Sequence, residues 1–350
     1  MNRVPPLRLV PLLALSIWFA TVGCQPSTGP NPDALKIGAY SVVREVFHDG
    51  LLPAFKAKWK AETGREAVFE EAYNASGAQA RQIASGFDAD LAVLSHSGDM
   101  DLLARAGKVK SDWNAGEHKG ILTNSLVVIG HRQGNPKSIH DWSDLARPGL
   151  GVLYPDPKTS GGARWNINAI YGAALLDARD KNREAPDLAA VRELLAGVQA
   201  NVVNMDQSGR QSMANFFERK TGDAVVTYEN ELLLRAREGD PVPYVVPPST
   251  LLIESPVAVV DDSVAKHGNG ELVAAFVAFL YSDEGQAIFA DYGFRPVGKD
   301  ADPASAARPA PARLFTAADL GGWAKLEEEL YSTNGLWTAI AADRVRNRGN

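Results

Sequence analysis

Apolar and polar residues follow two periods along this chain, one typical of strands and one typical of helices. Eight short β-rich runs have the length of strands; they lie at 35–40, 67–72, 90–94, 125–130, 151–153, 201–204, 224–228 and 255–260. Between these runs apolar residues recur at helical spacing, as Leu51, Phe55 and Trp59 do. Strands that alternate with helices predict an α/β fold.

Three of the predicted strands run into the start of a predicted helix through serine and glycine. The segments are NASG at 74–77, PKTSGG at 157–162 and QSG at 207–209. The first N–H groups of a helix lack intrahelical partners and lie at the positive end of its dipole. Glycine lets an anion approach the backbone, and serine adds a hydroxyl donor. The pattern suits a phosphate- or sulfate-sized ion, although serine is also a common helix cap that needs no ligand.

The N-terminus has the features of an export signal. Arg3 and Arg8 give a positive start, and residues 9–22 are an apolar run that is short for a bilayer span. Gly23 precedes Cys24, the one cysteine in the sequence, as at a bacterial lipoprotein cleavage site. We therefore predict a signal peptide at 1–23, lipidation of Cys24 and a proline-rich tether at 24–34. An ordinary cleaved signal peptide is the alternative.

Size and charge narrow the class of protein. About 315 residues follow the tether, which is enough for two domains. The formal charge of the chain is −6, and an acidic body does not favour nucleic-acid binding. Beyond residue 34 no apolar run is long enough to cross a bilayer. We expect the body to work in the periplasm, tethered to a membrane through Cys24.

Patterns that would indicate an enzyme or a metal site are weak. The sequence has no Gly-x-Ser-x-Gly motif. Its six histidines, at 48, 96, 118, 131, 140 and 267, lack close metal-ligand spacing. Glu229 and Glu231 would face one side of a strand, and a structural pair is favoured over acid–base catalysis. We predict no catalytic residue, metal or cofactor, and a scaffold lipoprotein is a further alternative.

Several segments, in this order along the chain, resemble the periplasmic sulfate- and thiosulfate-binding proteins of ABC importers. They are GNPKSIHDW at 134–142, SGGARWN at 160–166, TGD at 221–223, ENE at 229–231 and LGGWAK at 320–325. The resemblance extends over most of the chain, from residue 35 to residue 340. It implies a type II periplasmic-binding-protein fold, in which two α/β lobes joined by hinge strands close on a ligand.

The resemblance also implies how the chain is divided and what it works with. Residues 35–120 and 250–325 would form the first lobe, residues 121–249 the second lobe, and residues 326–350 a C-terminal helical tail. The implied partners are sulfate and the permease and ATPase subunits of an importer. We expect a monomer that binds no nucleic acid.

The ligand set that the resemblance implies consists of uncharged hydrogen-bond donors. Carried over residue by residue, it comprises Ser76, Ser160, Gly161, Gly162, Gly209 and Tyr228. Gly209 stands in the place of an alanine whose backbone N–H donates, and Tyr228 in the place of a tryptophan whose indole N–H donates. Sulfate carries no proton near neutral pH, so a wall of donors fits it. Phosphate keeps a proton, and burying that proton without an acceptor costs about 1–3 kcal/mol.

Some positions depart from the family pattern. Ser41 stands where aspartate is usual, and Ser95, His96 and Ser97 replace an apolar strand end. We place Ser41, His96 and Ser97 near the ligand. His96 either meets the ligand, with a charge in acid, or is a strand-end histidine with its own partners.

Sulfate is therefore the first expectation for the ligand, but other functions stay open. Thiosulfate, phosphate and other tetrahedral oxyanions are alternatives, as is a lipoprotein enzyme that acts on an oxyanion ester. Arg44, Arg164 and Arg210 are expected to anchor loops and helix starts rather than to bind the anion.

Overall fold

Strands of both orientations form a mixed sheet in the computed structural model, which describes residues 31–182, 184, 186–298 and 308–348. The strands are β1 (Ala34–Tyr40), β2 (Val68–Asn74), β3 (Leu91–Val93), β4 (Ile121–His131), β5 (Val152–Leu153), β6 (Val202–Asn204), β7 (Ala224–Tyr228), β8 (Tyr244–Val245), β9 (Ser249–Val259) and β10 (Arg313–Phe315). They follow the order β2-β1-β3-β9-β4-β7-β5-β6, with β10 beside β9 and β8 beside β4.

Two long antiparallel strands, β4 and β9, join the two halves of this sheet. The last part of β9 pairs with β3, where Val257 lies opposite Val93. The second part of β4 pairs with β7, where Val127 lies opposite Tyr228. β1, β2 and β3 are parallel to one another on one side, and β5, β6 and β7 on the other. We call these the first and second halves; the arrangement is the two-lobed α/β fold that was predicted.

Helices lie between most of the consecutive strands. They are α1 (Leu52–Thr63), α2 (Ser76–Ala84), α3 (Ser97–Arg105), α4 (Gly161–Lys181), α5 (Leu188–Asn201), α6 (Gly209–Phe217), α7 (Glu229–Arg237), α8 (Asp261–His267), α9 (Gly270–Leu280), α10 (Asp283–Asp291), α11 (Gly322–Leu326) and α12 (Leu336–Arg348). Shorter 3₁₀ or π segments lie at Ser41–Val43, Val46–Leu51, Trp142–Ala146, Ala318–Leu320 and Glu327–Tyr331.

An aromatic cluster packs α1, α9 and α10 together beside the first half of the sheet. Phe55 contacts Phe276 with ring centroids 5.0 Å apart, and Phe47 contacts Phe289 at 6.2 Å. All four rings are buried. Burying one such side chain contributes about 1.5–3 kcal/mol, so this cluster holds the helices that support β1.

A histidine clamp joins α8 to the segment that precedes β3. His267 lies 2.7 Å from Asp90 through Nδ1 and 2.9 Å from Asp88 through Nε2. Burial favours the neutral ring, but the hydrogen bonds to both carboxylates outweigh it and raise the pKa of His267. Asp90 is fully buried and also accepts from the backbone N–H of Lys36 at 2.8 Å.

All eight predicted strands are present, and β4 and β9 are longer than predicted. β8 and β10 were missed because runs of two or three residues carry little periodic signal. The predicted signal peptide, Cys24 and most of the tether lie outside the described residues. So do 183 and 185 within the predicted second lobe, 299–307 within the predicted first lobe and 349–350 at the end of the predicted tail. The predicted lobe limits at 121 and 250 fall beside the starts of β4 and β9. Because the described residues form one compact unit, those limits stay a prediction.

In the described part of the chain, no single helix is both long and apolar enough to span a membrane. The pair formed by α9 and α10 meets the criteria of length and composition together, but it is bent by 62°.

Candidate anion-binding site

The N-termini of three helices converge on one small cavity between the two halves. α2 begins at Ser76, α4 at Gly161 and α6 at Gly209. The cavity has a volume of about 20 Å³, and its wall comprises Tyr40, Ser41, Val42, Ala75, Ser76, Ser95, Ser160, Gly162, Asn166, Gly209, Thr227 and Tyr228. The three serine–glycine junctions that were singled out in the sequence therefore meet at one place. No residue of this wall, as described, carries a charged side chain.

Most of the predicted site residues lie in this wall. Those that line it are Ser41, Ser76, Ser160, Gly162, Gly209 and Tyr228. Gly161 lies beside the wall, where it packs against Ser95. His96 and Ser97 lie at the start of α3 and are not in the wall, because the ring of His96 turns toward Trp323.

Helix capping explains only one of the three junctions. Ser208 precedes α6, and its Oγ accepts from the backbone N–H of Gln211 at 3.2 Å. Ser160 precedes α4 but makes no such capping bond, and Ser76 is already the first residue of α2. The hydroxyls of Ser160 and Ser76 are thus present in the wall for a reason other than capping.

Ser95, which was not among the predicted ligands, belongs to the first half and bonds two residues of the second half, Tyr228 and Trp165. It follows β3 and is fully buried. Its Oγ lies 2.7 Å from Tyr228 Oη, and its carbonyl oxygen accepts from Trp165 Nε1 at 2.9 Å. A Cβ on Gly161 would lie 2.6 Å from Ser95 Oγ. Glycine is therefore required at position 161 for α4 to approach Ser95 this closely.

Ser76 is oriented by a carboxylate outside the wall. Its Oγ donates to Asp99 Oδ2 at 2.6 Å and accepts from the backbone N–H of Ser95 at 2.8 Å. The hydroxyl proton of Ser76 is consequently directed to Asp99 rather than to the cavity. This differs from the donor role that was expected for Ser76, because a nearby carboxylate is a strong acceptor.

Asn166 also contributes to the wall, and the sequence did not single it out as a ligand. Its Nδ2 donates to the backbone carbonyl of Val226 at 2.8 Å, which sets the orientation of the amide. Its Oδ1 is buried and, among the described residues, has no hydrogen-bond partner. Asn166 thus presents a buried acceptor beside the cavity.

His96 is a structural residue in this arrangement. Its Nδ1 accepts from the backbone N–H of Asp99 at 3.2 Å, which caps α3. Its ring stacks on Trp323 with centroids 4.0 Å apart and meets Trp165 edge-on at 6.2 Å. Burial lowers the pKa of His96 to about 4, so the ring is neutral at physiological pH.

Charged groups lie behind the wall. Arg210, next to Gly209, donates to Glu45 at 2.6 Å and lies 3.1 Å from Glu231. Burial raises the pKa of Glu231 to about 7, although Arg210 opposes this shift. Glu45 belongs to the first half and Arg210 to the second, so this ion pair also crosses the cleft.

The other predicted anchors are partly found. Arg164 pairs with Glu327 and donates from Nε to the carbonyl of Pro157 at 3.1 Å. Arg164 and Arg210 therefore hold loops and helix starts, as predicted, whereas Arg44 is exposed.

The paired glutamates are not arranged as the sequence predicted. Glu229 and Glu231 lie in the first turn of α7 and not in a strand, so they do not share one face as predicted. Glu229 is fully buried and bonds Arg295 at 2.7 and 2.9 Å. Each carboxylate lies within ion-pair distance of an arginine. Within the described ranges, no group of three metal-ligating side chains could hold an ion.

Comparison with known proteins identifies the family. The bacterial extracellular solute-binding protein family matches residues 49–295. This chain belongs to that family. A sulfate-binding protein of Synechococcus elongatus is 36% identical to this solute-binding protein over 320 residues, 90% of this chain and 89% of the relative. A thiosulfate-binding protein of Pseudomonas aeruginosa is 35% identical over 265 residues, 74% of this chain and 76% of that relative.

Solved structures agree with the predicted fold. The sulfate-binding protein SubI from Mycobacterium tuberculosis is similar to this solute-binding protein with a TM-score of 0.73 and 39% identity, over 85% of this chain and 99% of SubI. A periplasmic thiamin binding protein shares the fold alone. Its TM-score is 0.64 at 14% identity, over 89% of this chain and 96% of the thiamin binding protein. The predicted resemblance to sulfate- and thiosulfate-binding proteins and the two-lobed fold are thereby confirmed.

Proposed function

We propose that this solute-binding protein captures sulfate and delivers it to an ABC importer. The observation that carries the proposal is the convergence of three helix N-termini on a cavity whose described wall is uncharged. Oriented N–H dipoles replace the hydration of a dianion without ordering long charged side chains. Relatives that are named sulfate-binding proteins support the same ligand.

Contacts across the cleft support a closing mechanism. The first half supplies Ser76 and Ser95 to the wall, and the second half supplies Ser160, Gly209 and Tyr228. An anion that bonds both sets would stabilise the closed form, which the permease of the importer would recognise. The permease and the ATPase are other chains in this proposal.

Thiosulfate is the second candidate ligand. It shares the charge and the tetrahedral outline of sulfate, and a thiosulfate-binding relative covers most of this chain. Molybdate is less well suited, because it is a larger tetrahedral dianion and the small cavity would have to widen further for it than for sulfate.

We infer that the protein has no catalytic role. Its relatives are binding proteins, and the carboxylates that sequence reasoning weighed as an acid–base pair are held by arginines. Turnover of a sulfate or phosphate ester by the purified chain would contradict this inference.

We also propose that the protein works as a periplasmic monomer held at a membrane by a lipid on Cys24. The export signal and the position of the single cysteine support the anchor. Mass spectrometry of the exported chain should show a lipid mass at Cys24 and its loss in Cys24→Ser. Release of the unmodified wild-type chain into the periplasm would refute the anchor.

Isothermal titration of the exported chain with sulfate, thiosulfate, phosphate and molybdate tests the ligand. We expect sulfate to bind with a Kd of about 1 μM or tighter, thiosulfate comparably and molybdate more weakly. If no anion binds more tightly than about 1 mM, the proposed function is wrong.

A further inference from the structure

Tyr228 and Ser95 share a hydrogen bond whose direction is free. Tyr228 Oη and Ser95 Oγ are 2.7 Å apart, and either oxygen can donate. Both side chains lie in the cavity wall and are buried, with 3% and 0% of their surface exposed. When Ser95 donates, the O–H of Tyr228 is free to donate to a ligand. When Tyr228 donates, its oxygen is free to accept.

Trp165 leaves Ser95 able to take either role. The indole N–H of Trp165, which can only donate, lies 3.1 Å from Ser95 Oγ. This bond occupies one lone pair of Ser95 and leaves its O–H and its second lone pair for Tyr228. Burial raises the pKa of Tyr228 well above its ordinary value, so the phenol stays protonated and keeps both roles.

Other groups in the wall also offer lone pairs. The O–H of Ser76 is directed to Asp99 at 2.6 Å, so the cavity is left with the oxygen of Ser76 rather than its proton. Asn166 Oδ1 is a buried acceptor with no partner among the described residues. The wall therefore combines the N–H donors of α4 and α6 with acceptors, and differs from the donor-only lining that the sequence suggested.

We propose that the cavity holds a tetrahedral dianion with one proton, of the hydrogenphosphate class, as well as fully ionised sulfate, and that Tyr228 adapts to the difference. This inference rests on the proposed function. Tyr228 donates to sulfate while Ser95 donates to Tyr228. With the protonated ion, Tyr228 donates to Ser95 and accepts the O–H of the ligand. The oxygen is well placed, because Tyr228 Oη lies 3.6 Å from where a Cβ would stand on Gly162 at the start of α4.

Sulfate and phosphate form a matched pair of probes. At about pH 8 both are tetrahedral dianions, and they differ by one proton. Isothermal titration of the exported wild-type chain should give a phosphate affinity within about a hundredfold of the sulfate affinity. In Tyr228→Phe the ring remains and the adaptable hydroxyl is lost. The ratio of sulfate to phosphate affinity should then rise about tenfold or more, because the ligand proton loses its acceptor.

Ser41→Ala is the control variant. Ser41 lines the same wall but is not part of the hydrogen bond between Tyr228 and Ser95, so its loss leaves both roles of Tyr228 available. Both affinities should fall by similar factors, and their ratio should stay within about threefold of the wild-type ratio. Circular dichroism of both variants checks that they are folded.

The outcomes separate this inference from the proposed function. If wild type binds neither anion more tightly than about 1 mM, both are wrong. If sulfate binds tightly and phosphate more than about a thousandfold more weakly, the function stands and the inference is overturned. An unchanged ratio in Tyr228→Phe also overturns it, since the acceptor would then not be Tyr228.

Discussion

Gly161→Ala should weaken sulfate binding without weakening the fold. Gly161 is the first residue of α4, and a Cβ there would lie 2.6 Å from Ser95 Oγ and 2.7 Å from Ser95 Cβ. These distances are too short for any real Cβ, so one side must move. Ser95 cannot yield cheaply because it is fully buried and bonded to Tyr228 and Trp165.

The overlap should raise the free energy of cleft closure, because the contact between Gly161 and Ser95 joins the two halves. Opening the cleft relieves the overlap without unfolding either half. Overpacking of this kind costs about 1–3 kcal/mol, which corresponds to sulfate binding weakened about 5- to 150-fold. Without sulfate, the unfolding temperature should be unchanged or slightly higher, because alanine has less conformational freedom than glycine in the unfolded chain, an effect of about 0.4–1 kcal/mol.

Isothermal titration gives the sulfate Kd, and differential scanning calorimetry without ligand gives the unfolding temperature. Gly209→Ala is a matched control, because Gly209 also begins a helix at the cavity but its added Cβ would meet only Val42, at 4.0 Å. We expect Gly209→Ala to bind within about threefold of wild type. Wild-type affinity in Gly161→Ala would show that α4 and Ser95 do not meet in the bound state. A large fall in the unfolding temperature would place the overlap in the folded core instead.

Three further predictions concern titration and buried charge. His267→Gln breaks the clamp to two aspartates. The variant should lose most stability below about pH 6.5 and progressively less as the pH rises through the raised pKa of His267. Urea unfolding across pH measures this loss, and a loss that is the same at every pH would contradict the clamp. Arg295→Met leaves the buried Glu229 carboxylate unpaired and should lower the unfolding free energy by about 3–5 kcal/mol, with partial recovery when Glu229→Gln is added; wild-type stability in the single variant would refute it. Sulfate affinity should fall as the pH drops below about 6.5. We expect His96 to have its ordinary pKa in the open cleft and to stay neutral in the closed form, so protonation in acid favours the open cleft. The sulfate affinity of His96→Gln should not depend on pH in this range, and an equal pH dependence in both proteins would count against the explanation.

Local patterns in the sequence were enough to predict the strands and helices and the three helix starts at the cavity. Apolar residues with a period of two predicted the strands, and helical spacing predicted the helices between them. The serine–glycine junctions at Ser76, Gly161 and Gly209 each begin a helix. Such features depend on neighbouring residues alone, because caps, free N–H groups and glycine conformations act within one turn. The longer segments around 134–142 and 160–166 were sufficient for the family.

Which side chains reach the cavity was decided by the tertiary structure. Ser95 and Asn166 were not predicted as ligands, because each enters the wall only when segments far apart in the sequence meet. His96 was expected near the ligand and instead stacks on Trp323, which the sequence places in a distant segment. No local pattern encodes these contacts, since burial depends on the partner that covers a side chain.

The direction of hydrogen bonds also required the fold. The sequence predicted hydroxyl and N–H donors at the site, and the helix starts provide the N–H groups. Only the packed structure places Asp99 beside Ser76 and Ser95 beside Tyr228. A hydroxyl can donate or accept, and its role is set by the neighbour that is within bonding distance. For this reason the sequence was sufficient for an oxyanion site, whereas the preference for a protonated or an unprotonated ion depends on contacts between the two halves.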